Sequence, residues 1–167
     1  MNAVDVLKYG NLTVLRTIEG IPDSEWETPD VCGVWSVKEI IAHLASFEHI
    51  LVDVLNTFLD GGAAPTLEKW GQDPLAFNDD EVALRQVKTP EEVVDEYRAT
   101  QAKTMELAAR IPAETFRQNG TLPWYGIEYD LDDFIAYTFY GHKREHTAQI
   151  NLFRDQLAQQ QATAGVP

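Results

Sequence analysis

"SVKEIIAHLASFEHILVDVLNTFLDGG", Ser36 to Gly62, decides the fold. Ile40, Leu44, Phe47, Leu51, Val54 and Phe58 recur at intervals of three and four, the period of a helix with one buried face. Ser36 is a helix-starting residue and Glu39 stands three places on, the pairing of a reciprocal capping box. The run continues to about Leu59, where "DGG" ends it, because glycine accepts the left-handed backbone of a helix C-terminus. A helix of this length, apolar along one stripe, needs other helices to cover it.

Three further segments supply them. Val4, Leu7, Leu12, Leu15 and Ile18 mark a first helix over about 4–20, stopped by "GIP". Thr89, Pro90 and Glu92 open another that runs to about Arg110. The last starts after Asp130, with Asp132 and Asp133 in the turn where the helix dipole favours negative charge, and continues to about Ala158. Residues 61–88, rich in Gly, Pro and Asp, read as a long connection with one short helix near 79–87. Residues 112–129 read as an aromatic-rich loop with room for a short extended piece. No alternation long enough to build a sheet occurs. The expected fold is all-α, a four-helix bundle with long second-to-third and third-to-fourth connections. It would form one domain over 1–160 with a frayed tail over 161–167.

Acidic residues outnumber basic ones 27 to 13, for a formal net charge of −14. Such a field repels phosphate backbones and anionic lipid, so nucleic acid and membrane surfaces are poor partners and a cation or small molecule is a better one. No stretch approaches the ~18 uninterrupted apolar residues of a membrane span, and the first residues lack the pattern of a signal peptide. Cys32 is the single cysteine, which fits a reducing cytoplasm and reads as a small half-buried hydrophobe.

The polar exceptions on the apolar stripes carry the functional signal. In "YGHKREHTAQI", Tyr140 to Ile150, two histidines stand four places apart. With a step of about 100° per residue, Leu131, Ile135, Phe139, His146, Ile150 and Phe153 all fall within roughly 80° of His142. His142 and His146 are thereby placed on the buried stripe, with Lys143 and Arg144 pointing away. On the second helix His43 lies along one edge of the stripe, whereas His49 faces the solvated side. Two readings of His43, His142 and His146 follow. Each can be an ordinary core residue bonded to a carbonyl or carboxylate. Alternatively, one divalent cation satisfies all three and keeps them neutral. Residues i and i+4 lie about 6 Å apart on a helix and reach neighbouring corners of one ion's shell, and a third histidine leaves a position open.

"HKREH" also fits H-x-x-E-H, the inverted zinc-peptidase signature with Glu145 as base, but too little chain follows His146 to supply the further acidic ligand. Glu145 is better read as a flank residue in an ion pair. Glu39 and Gln149, on nearly the same faces as the histidines, are candidates to orient a ligand. Trp124, Tyr125 and Tyr137 are candidates to wall a pocket.

With Trp35-Ser36 leading to His43-Leu44 in "WSVKEIIAHLASFE", and His142 and His146 followed by Ala148-Gln149-Ile150, the sequence resembles the DinB-like superfamily. The resemblance runs from the first helix to the last, while 60–88 and 112–129 match nothing assignable. It implies a helical bundle whose histidine triad, His43, His142 and His146, binds one metal ion. Histidine nitrogens suit zinc, nickel, iron or copper. Characterised relatives include bacillithiol-dependent thiol transferases and a mycothiol-dependent maleylpyruvate isomerase. The resemblance therefore implies a metal-dependent transferase, isomerase or hydrolase acting on a small molecule, with a low-molecular-weight thiol as possible cosubstrate. Relatives often pair, so a homodimer is part of the same expectation. A non-catalytic ligand- or metal-binding bundle is the rival, and a metal-free structural bundle a third reading.

Overall fold

The computed structural model describes residues 2–164. Among these, the chain is all-helical, and its only β-type pairing is an isolated bridge between Cys32 and Trp35. Four long helical segments are present: α1 (Ala3–Ile18), α2 (Val37–Leu59), α5 (Pro90–Arg110) and a last one in three parts. That last segment comprises α6 (Leu131–Phe134), a π-helical stretch (Ile135–Gly141) and α7 (His142–Ala164). Two shorter helices, α3 (Pro65–Gln72) and α4 (Pro74–Leu84), lie between α2 and α5.

The caps read from sequence are formed. The Ser36 hydroxyl accepts from the Glu39 amide while the Glu39 carboxylate takes the Ser36 amide, and Thr89 with Glu92 repeats the arrangement at α5. Asp130 and Asp133 do the same for α6. The connection over 61–88 is where expectation and structure part: it holds two helices rather than one short helix at 79–87. The cause is a cap from outside the segment. The carboxylate of Asp53, on α2, accepts from the amides of Thr66 at 2.7 Å and Leu67 at 3.1 Å, satisfying the first turn of α3. Asp73 then caps α4 through the amide of Ala76. Residues 112–129 contain a 3₁₀ turn, Thr115–Arg117, and no strand. Helix α7 runs through Ala164, past the expected end near Ala158; residues 165–167 of the expected tail lie outside the described residues.

The apolar core is in two halves. One gathers Leu7 of α1, Leu51 and Leu55 of α2, Leu107 of α5, and Phe134 and Phe139 of the last segment. The other gathers Val14 and Ile18, Ile40 and Leu44, Val93 and Tyr97, Ile150 and Phe153. These pairings give the directions: α1 runs parallel to the last segment, α2 runs parallel to α5, and the two pairs are antiparallel. The crossing through α3 and α4 is what lets α2 and α5 run the same way. Between the halves lies a buried polar layer of His43, Ser46, Glu48, Thr104, Lys143, His146 and Thr147.

The last segment departs from a uniform wheel. A π stretch holds more residues per turn than an α-helix, so a 100° step does not carry across Ile135–Gly141. Beyond it the buried positions are Lys143, His146, Thr147, Ile150 and Phe153, and His142 sits half-buried at the edge of that arc. Lys143, expected to point away, is 3% exposed, because an acidic partner on α2 draws it inward.

Candidate metal centre

His43 projects from the middle of α2, His142 opens α7 directly after the π stretch, and His146 follows one turn later. Their rings converge through the Nε2 atoms. His142 Nε2 lies 2.8 Å from His43 Nε2 and 2.9 Å from His146 Nε2. One ligand atom from each of the three can be chosen so that all lie within 4.8 Å of one another. A neutral imidazole nitrogen carries either one proton or one lone pair. His142 Nε2 therefore cannot make two well-aligned hydrogen bonds to its two neighbours. A cation among three lone pairs resolves all the contacts together, so these residues fit a metal ion and could hold one.

The electrostatics agree. Burial first, then the fields of the neighbouring imidazoles, hold His43 down to about 2. Burial first, with the fields of His146 and Lys143, holds His142 down to about 3. Burial also lowers His146, against the opposing influence of Gln149 and Glu145. All three are neutral at pH 7, the state a metal ligand requires. Gln149 Oε1 lies 2.8 Å from His146 Nδ1 and accepts its proton, which leaves Nε2 bare toward the other rings. The Nδ1 atoms of His43 and His142 are buried without a protein partner.

The walls are aromatic. Trp35 packs on His43 with ring centroids 4.8 Å apart, and Phe47 lies 4.8 Å from His43 and 4.4 Å from His142. Trp70 of α3 backs Phe47 at 6.3 Å and meets Trp124 at 6.4 Å. Trp35 is fixed by a tight turn in which Trp35 N donates to Cys32 O and Cys32 N to Trp35 O, with Gly33 supplying a positive φ of 57°. The same turn brings Cys32 beside Gln149 and Glu145, and burial pushes its thiol up, so it stays protonated at neutral pH.

The remaining residues read from sequence sort as follows. Glu39 is occupied by the capping box and orients no histidine. Glu145 is exposed, with its charge felt at His146 and Cys32. Trp124 stacks on no histidine and connects to Phe47 through Trp70 on one side and through Phe134 and Phe139 on the other. Tyr125 packs on Trp124, Tyr129 and Phe134, and with Tyr137 it lines a separate cleft. His49 is not simply solvated: its Nε2 lies 3.1 Å from Glu96 Oε1, in a cluster with Arg85 and Lys88. Sequence reasoning missed Phe47 and Trp70 as walls. Phe47 was hidden among stripe residues, and Trp70 lay in a segment read as connection.

A cavity of about 730 Å³ lies elsewhere, between α1, Trp26 and the start of α5, and none of the three histidines lines it. No helix among the described residues is long and apolar enough to cross a membrane. Neither a curated protein nor a solved structure matches the chain. A sequence model of one family does, over residues 13–150, a span that includes all three histidines, the three capping boxes and the whole polar layer. The chain belongs to the DinB superfamily.

Proposed function

We propose that His43, His142 and His146 bind one divalent ion, and that the protein is a metal-dependent enzyme acting on a small electrophilic substrate. The observation that carries the reading is the convergence of the His43 and His146 Nε2 atoms on His142 Nε2, with 2.8 and 2.9 Å contacts that protons alone cannot satisfy together. A bound ion would supply Lewis acidity, lowering the pKa of a thiol or water or polarising an electrophile. The chain's own contribution is separate from that chemistry. The three imidazoles are kept neutral by burial, Gln149 holds the His146 ring in one tautomer, and Trp35 and Phe47 exclude bulk water from two sides.

A low-molecular-weight thiol as cosubstrate comes from the characterised relatives, as does a homodimer, and both belong to the proposal. So do zinc, nickel or iron as the ion, and a small molecule rather than nucleic acid as the partner, given the net charge of −14. The test is a panel of electrophiles offered with several low-molecular-weight thiols, or with water alone, to zinc-, nickel- and iron-loaded protein. Turnover that disappears in His146→Ala supports the enzyme. One observation favours a second reading, a non-catalytic metal-binding bundle: four clefts among the described residues are lined by residues other than the triad. Stoichiometric metal with no turnover across the panel would decide for it.

A further inference from the structure

Behind the histidines, in the polar layer between the two halves of the core, Glu48 of α2 pairs with Lys143 of α7. Their side chains are 0% and 3% exposed, so neither charge is shared with water. Glu48 Oε2 also accepts from the Thr104 hydroxyl of α5 at 2.9 Å, and Lys143 Nζ stands 5.7 Å from the centre of the buried Tyr97 ring, again on α5. Burying two charges costs heavily in desolvation, and well-packed apolar residues commonly serve stability as well. The better-attested use of such a pair is to allow one registry and forbid others.

The fold needs that service here. Helices α2 and α7 carry the three histidines yet approach each other closely at few points, since α2 packs mainly on α5 and α7 mainly on α1. The π stretch ends at Gly141, so the number of residues per turn changes directly before His142 and α7 is rotated from where a uniform α-helix would put it. Lys143 is the next residue. Glu48 directly follows Phe47, whose ring touches both His43 and His142. Rotating α7 by one residue, about 100°, would part Lys143 from Glu48 and leave the buried carboxylate with the Thr104 hydroxyl alone.

We propose that the Glu48–Lys143 pair is the positioning device of the site, setting the rotation of α7 so that His142 and His146 face His43. The proposal deepens the metal reading and takes its functional meaning from it. The test compares the parent chain with the double variant Glu48→Leu/Lys143→Met and with Glu48→Gln. Urea unfolding controls for the fold, NMR contacts between the His43 and His142 ring protons are read without metal, and zinc affinity is read by competition titration. Expected are cooperative unfolding of the double variant, loss of the ring contacts, and zinc binding weakened at least tenfold. A folded double variant that keeps both the ring contacts and parental zinc affinity overturns the proposal. Should the double variant not fold, Glu48→Gln, which keeps an acceptor for Thr104, is held to the same two readouts. If the parent binds no zinc but the variants lose the ring contacts, the positioning role stands and the metal reading fails.

Discussion

Acidification of the metal-free protein offers a prediction whose size comes from the structure. His43 is held to about 2 and His142 to about 3, against an ordinary value of 6.5 in the unfolded chain. Between those limits the unfolded state binds protons that the folded state refuses, so stability must fall as pH falls below about 6.5. From pH 7 to pH 5 an unfolded imidazole gains about 1.9 kcal/mol from protonation, by linkage, while a folded one held near 2 or 3 gains almost nothing. The two histidines together remove about 4 kcal/mol, a large part of the ~5–15 kcal/mol that holds a domain folded. His146, lowered by the same burial, acts in the same direction. The paired carboxylate of Glu96, held far below the usual range by His49, Arg85 and Lys88, begins to protonate in the unfolded chain only near pH 5 and adds about 0.2 kcal/mol in the same direction. Urea unfolding at pH 7, 6 and 5 with a chelator present measures the loss, and His43→Asn should reduce it by about 1.9 kcal/mol. Stability unchanged between pH 7 and 5, or an unaltered slope in the variant, would show that these rings are not held neutral by the fold.

Zinc at 100 times its dissociation constant should stabilise the parent by about 2.7 kcal/mol, or roughly 5–11 °C in melting temperature, with no shift in His142→Ala. Differential scanning fluorimetry reads this directly. Asp53→Ala removes the acceptor for two first-turn amides of α3 and should cost about 1–2 kcal/mol in chemical denaturation, with altered Trp70 fluorescence. Glu96→Gln takes from the nearly buried Arg85 guanidinium one of its two carboxylate partners, and about 1–3 kcal/mol should be lost in urea unfolding.

The sequence made the long helices legible because three of the four carry a start signal in or beside the first turn, and the apolar stripes of all four repeat over several turns. The triad was legible for a related reason: imidazoles on an apolar stripe break a pattern, and a break is visible without coordinates. What was not legible depended on residues distant in the chain. Helix α3 is started by Asp53, which no local reading of 61–72 contains. Lys143 points inward because Glu48 waits on another helix, and the charge itself argues for the surface. The π stretch has no residue signature in "IAYTFYG", so the wheel drawn across it put His142 at the centre of the buried face rather than at its edge. Gln149 was found because it shares a face with His146 on regular helix, whereas Trp70 had no such frame.

The central claim is that His43, His142 and His146 bind one ion. Elemental analysis of protein purified without an affinity histidine tag, beside the His146→Ala variant prepared identically, tests it most directly. About one divalent ion per parent chain is expected, with a large loss in the variant. No metal in either protein, with unchanged unfolding on addition of zinc or nickel, would contradict it and make the three histidines packing residues of the polar layer.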